Sequence, residues 1–204
     1  MKYEKVISGS IIEIIDKKDV AVIGIDGLGG AGKSTISETI CNELENSAIH
    51  TILLHIDDFI HTKEIRYNSS YPEWQCYYEL QWKYDYFIDT VKKLKHGINN
   101  EHEIELYDKD NDSYFTKSYS VKKRTVIVVE GIFLQREELQ GIFDYMIYID
   151  VPENVRMRRV LKRDTYIGNE QQIVDKYENR YFPAERYYFK KYAPDHTANY
   201  VIHN

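Results

Sequence analysis

The run Gly27-Leu28-Gly29-Gly30-Ala31-Gly32-Lys33-Ser34 meets the pattern G-x-x-x-x-G-K-[ST] at every defined position. Glycines at that spacing let successive backbone N–H groups turn inward around phosphate oxygens. A helix opening at Lys33 would add the partial positive charge of its N-terminus. Gly27, Gly29, Gly30, Ala31, Gly32 and Thr35 would then cradle a nucleoside triphosphate. Lys33 would reach its β- and γ-phosphates, and the Ser34 hydroxyl would hold Mg²⁺.

Chemistry beyond binding needs acids and cations in reach of those phosphates. Asp57 closes a short apolar run and can take a proton from an acceptor hydroxyl, or help hold the metal. Its neighbour Asp58 points to the other side of an extended chain, so one of the pair faces the acceptor. Glu130 follows Val126-Ile127-Val128-Val129 and suits metal binding or acceptor positioning. Arg156, Arg159 and Arg163 recur at i, i+3, i+7, which places them on one helix face with Arg158 beside it. After a parallel strand such a face reads as a lid over phosphates, because the guanidinium fork binds oxygens in pairs. Arg156 is expected on the nucleotide, and Arg159 and Arg163 on the charge that moves in transfer.

These side chains need elements to carry them. Val20-Ala21-Val22-Ile23-Gly24-Ile25 reads as a buried strand and Thr35 to Leu44 as the helix after the loop. Ser8 to Asp16 reads as a first helix, Thr51 to Ile56 as a strand, and Pro72 to Lys95 as one helix with Trp74, Tyr78 and Trp82 on a face. Glu103 to Tyr107 and Lys117 to Lys122 pair as a hairpin. Thr125 to Val129, Tyr145 to Asp150 and Asn199 to Ile202 are strands; Asn154 to Arg163 and Gln171 to Tyr192 are helices. Alternation of this kind implies an α/β P-loop NTPase fold in three layers, a mostly parallel doubly wound sheet with helices on both faces and a small hairpin. One domain over residues 1–204 is expected, with a lid near 154–170. Ligands sit at the carboxyl ends of such strands, so Asp26, Asp57 and Glu130 should share an edge with the loop.

Net charge is −6 among 204 residues, which argues against nucleic acid and anionic membrane surfaces as partners. No apolar run nears the roughly 20 residues that span a bilayer. The start Met1-Lys2-Tyr3-Glu4-Lys5 leads into no signal-peptide core. Cys41 and Cys76 form no redox or metal spacing, which fits a cytoplasmic location, where the sequon Asn68-Ser69-Ser70 has no meaning. A homo-oligomer remains open.

Taken together, Gly27–Ser34, Ile56-Asp57-Asp58-Phe59, Tyr107-Asp108, Val129-Glu130-Gly131-Ile132 and Arg156…Arg159…Arg163-Asp164 resemble the uridine kinase and phosphoribulokinase family. Tyr177 with Pro183-Ala184, and Ala198-Asn199-Tyr200-Val201-Ile202, extend the resemblance to Ile202. It implies an ATP- and Mg²⁺-dependent kinase with Asp57 as acceptor base and Tyr107 lining the acceptor pocket. The pocket motifs depart from that pattern. Tyr71-Pro72-Glu73-Trp74-Gln75-Cys76-Tyr77-Tyr78 replaces an acidic sugar-gripping segment, Thr165-Tyr166-Ile167-Gly168-Asn169 replaces an arginine-bearing lid, and the histidine beyond Tyr107-Asp108 is missing.

Two features imitate other chemistry. Asp108-Lys109-Asp110-Asn111-Asp112 starts like a calcium loop, but Ser113 and Tyr119 stand where Gly and Glu are needed. The Trp74, Tyr78, Trp82 face reads as core, with Gln81 and Asp85 as polar contacts if it meets ligand instead. The leading expectation is transfer of the γ-phosphoryl group of ATP to the hydroxyl of a small molecule, a nucleoside or a sugar-like alcohol. The rival is a nucleotide-binding regulator without transfer, which has no need of Asp57. A nucleotide acceptor would call for more arginines between Asp57 and Trp82 than Arg66 alone.

Overall fold

The computed structural model describes residues 3–68 and 70–204; Met1, Lys2 and Ser69, the middle of the sequon, lie outside the described residues. In chain order its elements are α1 (Tyr3–Ile15), β1 (Val20–Gly27), α2 (Lys33–Asn46), β2 (His50–His55), a 3₁₀ turn (Ile56–Asp58), α3 (Lys63–Arg66), α4 (Glu73–Leu80) and α5 (Tyr84–His96). There follow β3 (Glu101–Asp108), β4 (Ser113–Ser120), β5 (Thr125–Gly131), a 3₁₀ turn (Glu137–Leu139), β6 (Tyr145–Asp150) and α6 (Glu153–Arg163). The chain closes with α7 (Glu170–Lys176), a π turn (Tyr177–Tyr181), α8 (Phe182–Tyr192), α9 (Pro194–Thr197) and β7 (Tyr200–His203).

Five parallel strands run in the order β2-β5-β1-β6-β7, and β3 pairs with β4 as a separate antiparallel hairpin. Every residue of β1 and β5 is buried, as central strands covered on both faces must be. On one face Ala21, Ile23, Ile25, Val126 and Val128 pack against Ile7 and Ile11 of α1 and Ile36 and Ile40 of α2. On the other, Val22, Leu54, Ile127 and Val129 meet Phe87 and Val91 of α5, Ile104 and Leu106 of the hairpin, and Tyr188 of α8. Helices therefore sit on both faces, the α/β arrangement the alternating pattern implies. A small third core of Val160, Ile173, Tyr177 and Phe182 joins α6 to the helices after it.

The single helix expected over Pro72 to Lys95 is two. Ile60 bridges Trp82, the Lys83 N–H donates to the Phe59 carbonyl at 2.8 Å, and the His61 N–H donates to the Gln81 carbonyl at 3.0 Å. Those bonds take backbone groups a continuous helix would use, and the break carries Trp82 into the core against Phe133. Tyr78 is buried with it and Trp74 packs on Tyr187, so the aromatic face is core. The hairpin is longer than expected at its first strand and shifted at its second. Its tip is closed by Asp108, which accepts from the Asp110 N–H and from Asn111 Nδ2.

Candidate active site

The glycine loop lies between β1 and α2, where the charged end of a helix meets the carboxyl edge of the sheet. Gly30 (φ +80°) and Gly32 (φ +94°) hold left-handed conformations that L side chains rarely adopt. A Cβ on Gly30 would also stand 2.9 Å from Val160 Cγ1 and 3.0 Å from the Arg156 carbonyl, so α6 seats directly on the loop. The first N–H groups of α2 have no intrahelical acceptor, as at any helix start, and are the donors a phosphate would take. Lys33 Nζ donates to the Leu28 carbonyl across the loop at 3.4 Å, while Gly32, Ser34 and Thr35 are exposed.

Parallel register brings the acids to this edge. In the pairings of β5 with its neighbours, Glu130 stands opposite Ile25 of β1 and His55 of β2. Glu130 is largely buried and lies 3.5 Å from Ser34 Oγ. His55 Nδ1–H donates to its Oε1 at 2.6 Å. Burial works to raise the Glu130 carboxyl, but the His55 hydrogen bond and the Lys33 charge outweigh it and hold the group below its ordinary value. The same bond raises His55 against its own desolvation. Ser34 Oγ and the Glu130 carboxylate are hard oxygen donors of the kind Mg²⁺ takes alongside water. The imidazole Nδ1 is spent on Glu130.

Asp57 is exposed in the 3₁₀ turn beyond β2, and among the described residues no side-chain hydrogen bond or ion pair holds it. Its charge is felt by Tyr77 of α4 and by Tyr166 in the loop after α6. Asp58 is half-buried, and burial raises its carboxyl against the charges of His55, Lys109 and Lys117. Asp57 is thus the exposed member of the pair. Asp26 does not join it. It is fully buried beneath the loop and accepts from Tyr188 Oη at 2.5 Å, the Gly27 N–H at 2.8 Å and Gln135 Nε2 at 3.0 Å.

The arginines of α6 divide by depth. Arg159 donates from one nitrogen to the Gly30 and Ala31 carbonyls, both at 3.3 Å, on the outer rim of the loop. Arg163 forks onto the buried Asp164 carboxylate at 2.6 and 3.0 Å, and Tyr177 Oη also donates to Asp164. Arg156 corrects the expectation of a lid arginine. Its guanidinium is buried, pairs with Glu185 at 2.7 Å and donates to the Val151 and Gly29 carbonyls. Glu185 in turn accepts the Gly29 N–H at 2.8 Å, so the pair braces the loop from behind.

A glycine loop after β1 and an exposed carboxylate after β2, with β5 between the two strands, narrow the comparison to kinases. The model of the phosphoribulokinase / uridine kinase family matches residues 22–192. The chain belongs to that family. It is 28% identical over 187 residues to a uridine kinase of Staphylococcus haemolyticus, covering 86% of each protein. A uridine kinase of Staphylococcus aureus is 30% identical over 151 residues, 72% of this chain and 70% of its own. A solved structure described as a possible uridine kinase from Bacillus stearothermophilus superposes with a TM-score of 0.77 at 28% identity, covering 99% of this chain and 100% of that one.

Membership of that family makes the chain a P-loop kinase, a class that takes a nucleotide and a small-molecule substrate. Tyr107, expected to line the acceptor pocket, is 3% exposed; its hydroxyl accepts from Arg66 Nη2 and donates to Asp112, each at 2.6 Å. It therefore stands behind Arg66. His55, Glu185 and Arg180 escape sequence reasoning. His55 could be found only by knowing that β2 lies beside β5, and Glu185 lies 29 residues from Arg156. Gln81, held in reserve as a polar contact, is buried and accepts from Arg180 Nη2 at 3.3 Å. Among the described residues no helix is long and apolar enough to cross a membrane.

Proposed function

We propose that this chain transfers the γ-phosphoryl group of ATP, bound with Mg²⁺, to the hydroxyl of a small molecule, a nucleoside or a sugar-like alcohol. The observation that carries the reading is Asp57, an exposed carboxylate with no side-chain partner among the described residues, placed after β2 with β5 alone between that strand and the one that carries the phosphate loop. The acceptor oxygen attacks the γ-phosphorus in line with the bond to the β–γ bridging oxygen. That bond breaks, ADP departs, and the hydroxyl proton passes to Asp57. Lys33 and the N–H groups of α2 meet the β- and γ-phosphates, with Gly27, Gly29, Gly30, Ala31, Gly32 and Thr35 shaping or lining the cradle. Arg159 on the loop rim and Arg163 at the foot of the lid supply positive charge when the lid closes. Ser34, Glu130 and Asp57 would hold Mg²⁺, which neutralises charge on the phosphates.

The uridine kinases among the relatives support a nucleoside acceptor. The second reading, a sugar-like alcohol, is supported by the Tyr71–Tyr78 stretch, whose Cys76 and Tyr78 are core where uridine kinases place sugar-gripping acids. Asp57→Asn tests transfer itself. The variant is expected to lose about 10²–10⁴-fold in kcat and to keep its ATP affinity. Unchanged turnover would remove Asp57 as the base, and a lack of acceptor-dependent ADP release in the unaltered chain, with ATP still bound, would return it to a binding role.

A further inference from the structure

We propose that His55 is a positioning residue for the metal: its Nδ1–H pins one oxygen of the Glu130 carboxylate, so that the other is presented to the Mg²⁺ of the bound nucleotide. The inference rests on the reading of Glu130 as a metal ligand. The stretch that resembles the kinase family begins one residue later, at Ile56, and gives His55 no task.

His55 is the last residue of β2 and Glu130 the last but one of β5. The two stand opposite each other in the parallel register, at the carboxyl edge of the sheet. His55 Nδ1 lies 2.6 Å from Glu130 Oε1, and an ionised carboxylate only accepts, so the imidazole donates. Ser34 Oγ reaches the same oxygen at 3.5 Å, too long to hold it firmly. Oε2 accepts from no described residue, yet it is not among the polar atoms sealed in without a partner. One oxygen is held and the other is open, on a residue only 8% exposed.

A glutamate at a strand end has three side-chain torsions, and an unheld carboxylate gives up that freedom whenever it takes an ion. The His55 bond fixes the orientation before the ion arrives. Outer partners of metal-binding carboxylates act in this way, and losing one costs about 10–100-fold in metal affinity or activity. A strap between strands has little to add here. Pairing from His50 with Thr125 through His55 with Glu130 already joins β2 to β5, and the imidazole is half-buried rather than packed in the core. Lys33 does not replace it, since its Nζ donates to the Leu28 carbonyl.

Mn²⁺ serves as the probe, with its binding to the protein and a non-hydrolysable ATP analogue read by electron paramagnetic resonance. His55→Ala is expected to weaken that binding about 10–100-fold. His55→Asn, whose amide nitrogen stands near the place of Nδ1, should recover most of the loss, and His55→Gln less. Affinity for the analogue in EDTA should stay unchanged in all three, which a damaged fold would not allow. Glu130→Gln should lose at least as much Mn²⁺ affinity, and adding His55→Ala to it should cost little more, because both act through one carboxylate. Affinity kept in His55→Ala but lost in Glu130→Gln overturns the positioning role and leaves Glu130 a ligand. Affinity kept in both removes the metal reading of Glu130 as well. Equal losses in His55→Ala and His55→Asn, or separate losses that add in the double variant, also overturn the inference. None of these readouts involves the acceptor, so phosphoryl transfer stands or falls with Asp57→Asn alone.

Discussion

Arg156 shows how little a residue's type and spacing say about its task. Its place at i, i+3, i+7 with Arg159 and Arg163 marks a shared face, but a helix face does not announce what will cover it. Here α8 covers it, and Glu185 turns a would-be phosphate ligand into a brace on both backbone groups of Gly29. Burial raises the Glu185 carboxyl while Arg156 pulls it down, a pair in which neither charge is tolerable alone. Glu185→Ala is expected to cost about 3–5 kcal/mol in urea denaturation, because it strands a buried guanidinium. ATP affinity should fall with it, as Gly29 loses its hold. Near-native stability in that variant would mean that the loop stands without the brace. The exposed place of Asp57 just after β2, by contrast, was legible from sequence, since an acid that closes an apolar run marks a strand end.

At the scale of elements, the long C-terminal helix is where local pattern and outcome diverge. Gln171 to Tyr192 reads as one helix, and the backbone is continuous, but a π turn at Tyr177–Tyr181 inserts a wider coil between α7 and α8. That turn carries Arg180 inward to the carbonyls of Glu73 and Arg66, and sets Tyr181 on Tyr77 at 4.8 Å. The start of α7 is secured locally. Asn169 accepts the Gln172 N–H, and Gln172 accepts the Asn169 N–H, a reciprocal capping box. Asn169→Ala should remove about 1 kcal/mol, with the loss confined to α7. Hydrogen exchange should quicken over residues 170–176 and stay unchanged in β1 and β5. Uniform acceleration through the sheet would show that α7 is not a separable element.

The whole molecule is tied across its sheet by contacts distant in sequence, and Asp144 is one that responds to acid. Burial works to raise its carboxyl, but hydrogen bonds from Lys18 and from the Val22 N–H at 2.9 Å, with the charge of Lys95, hold it below the ordinary range. It joins the segment before β6 to the segment before β1 and to the end of α5. A depressed carboxyl adds stability that is complete above its unfolded value of about 4 and is lost as pH falls through the folded value. Asp144→Asn should therefore lower the urea midpoint at neutral pH and flatten its decline below about pH 4. Asp144→Ala is expected to cost about 2 kcal/mol at neutral pH. An acid limb identical in wild type and Asp144→Asn would locate the acid sensitivity elsewhere.

By itself the sequence determined whatever is written within one turn or one strand. The glycine loop, the buried β1 and β5 runs, the acid at the end of β2 and the alternation that makes a parallel sheet all follow from short-range sterics and hydrophobic period. Tertiary structure decided what depends on neighbours far along the chain. Parallel pairing put His55 on Glu130 across 75 residues, and α8 took Arg156 from the lid to the loop. A break at Trp82, made by a bridge to Ile60, replaced a helix that local pattern favours. Three cations meet at the Tyr67 ring from positions 66, 176 and 180, too far apart for any spacing rule to join. Local codes specify backbone form; only packing specifies which charges meet.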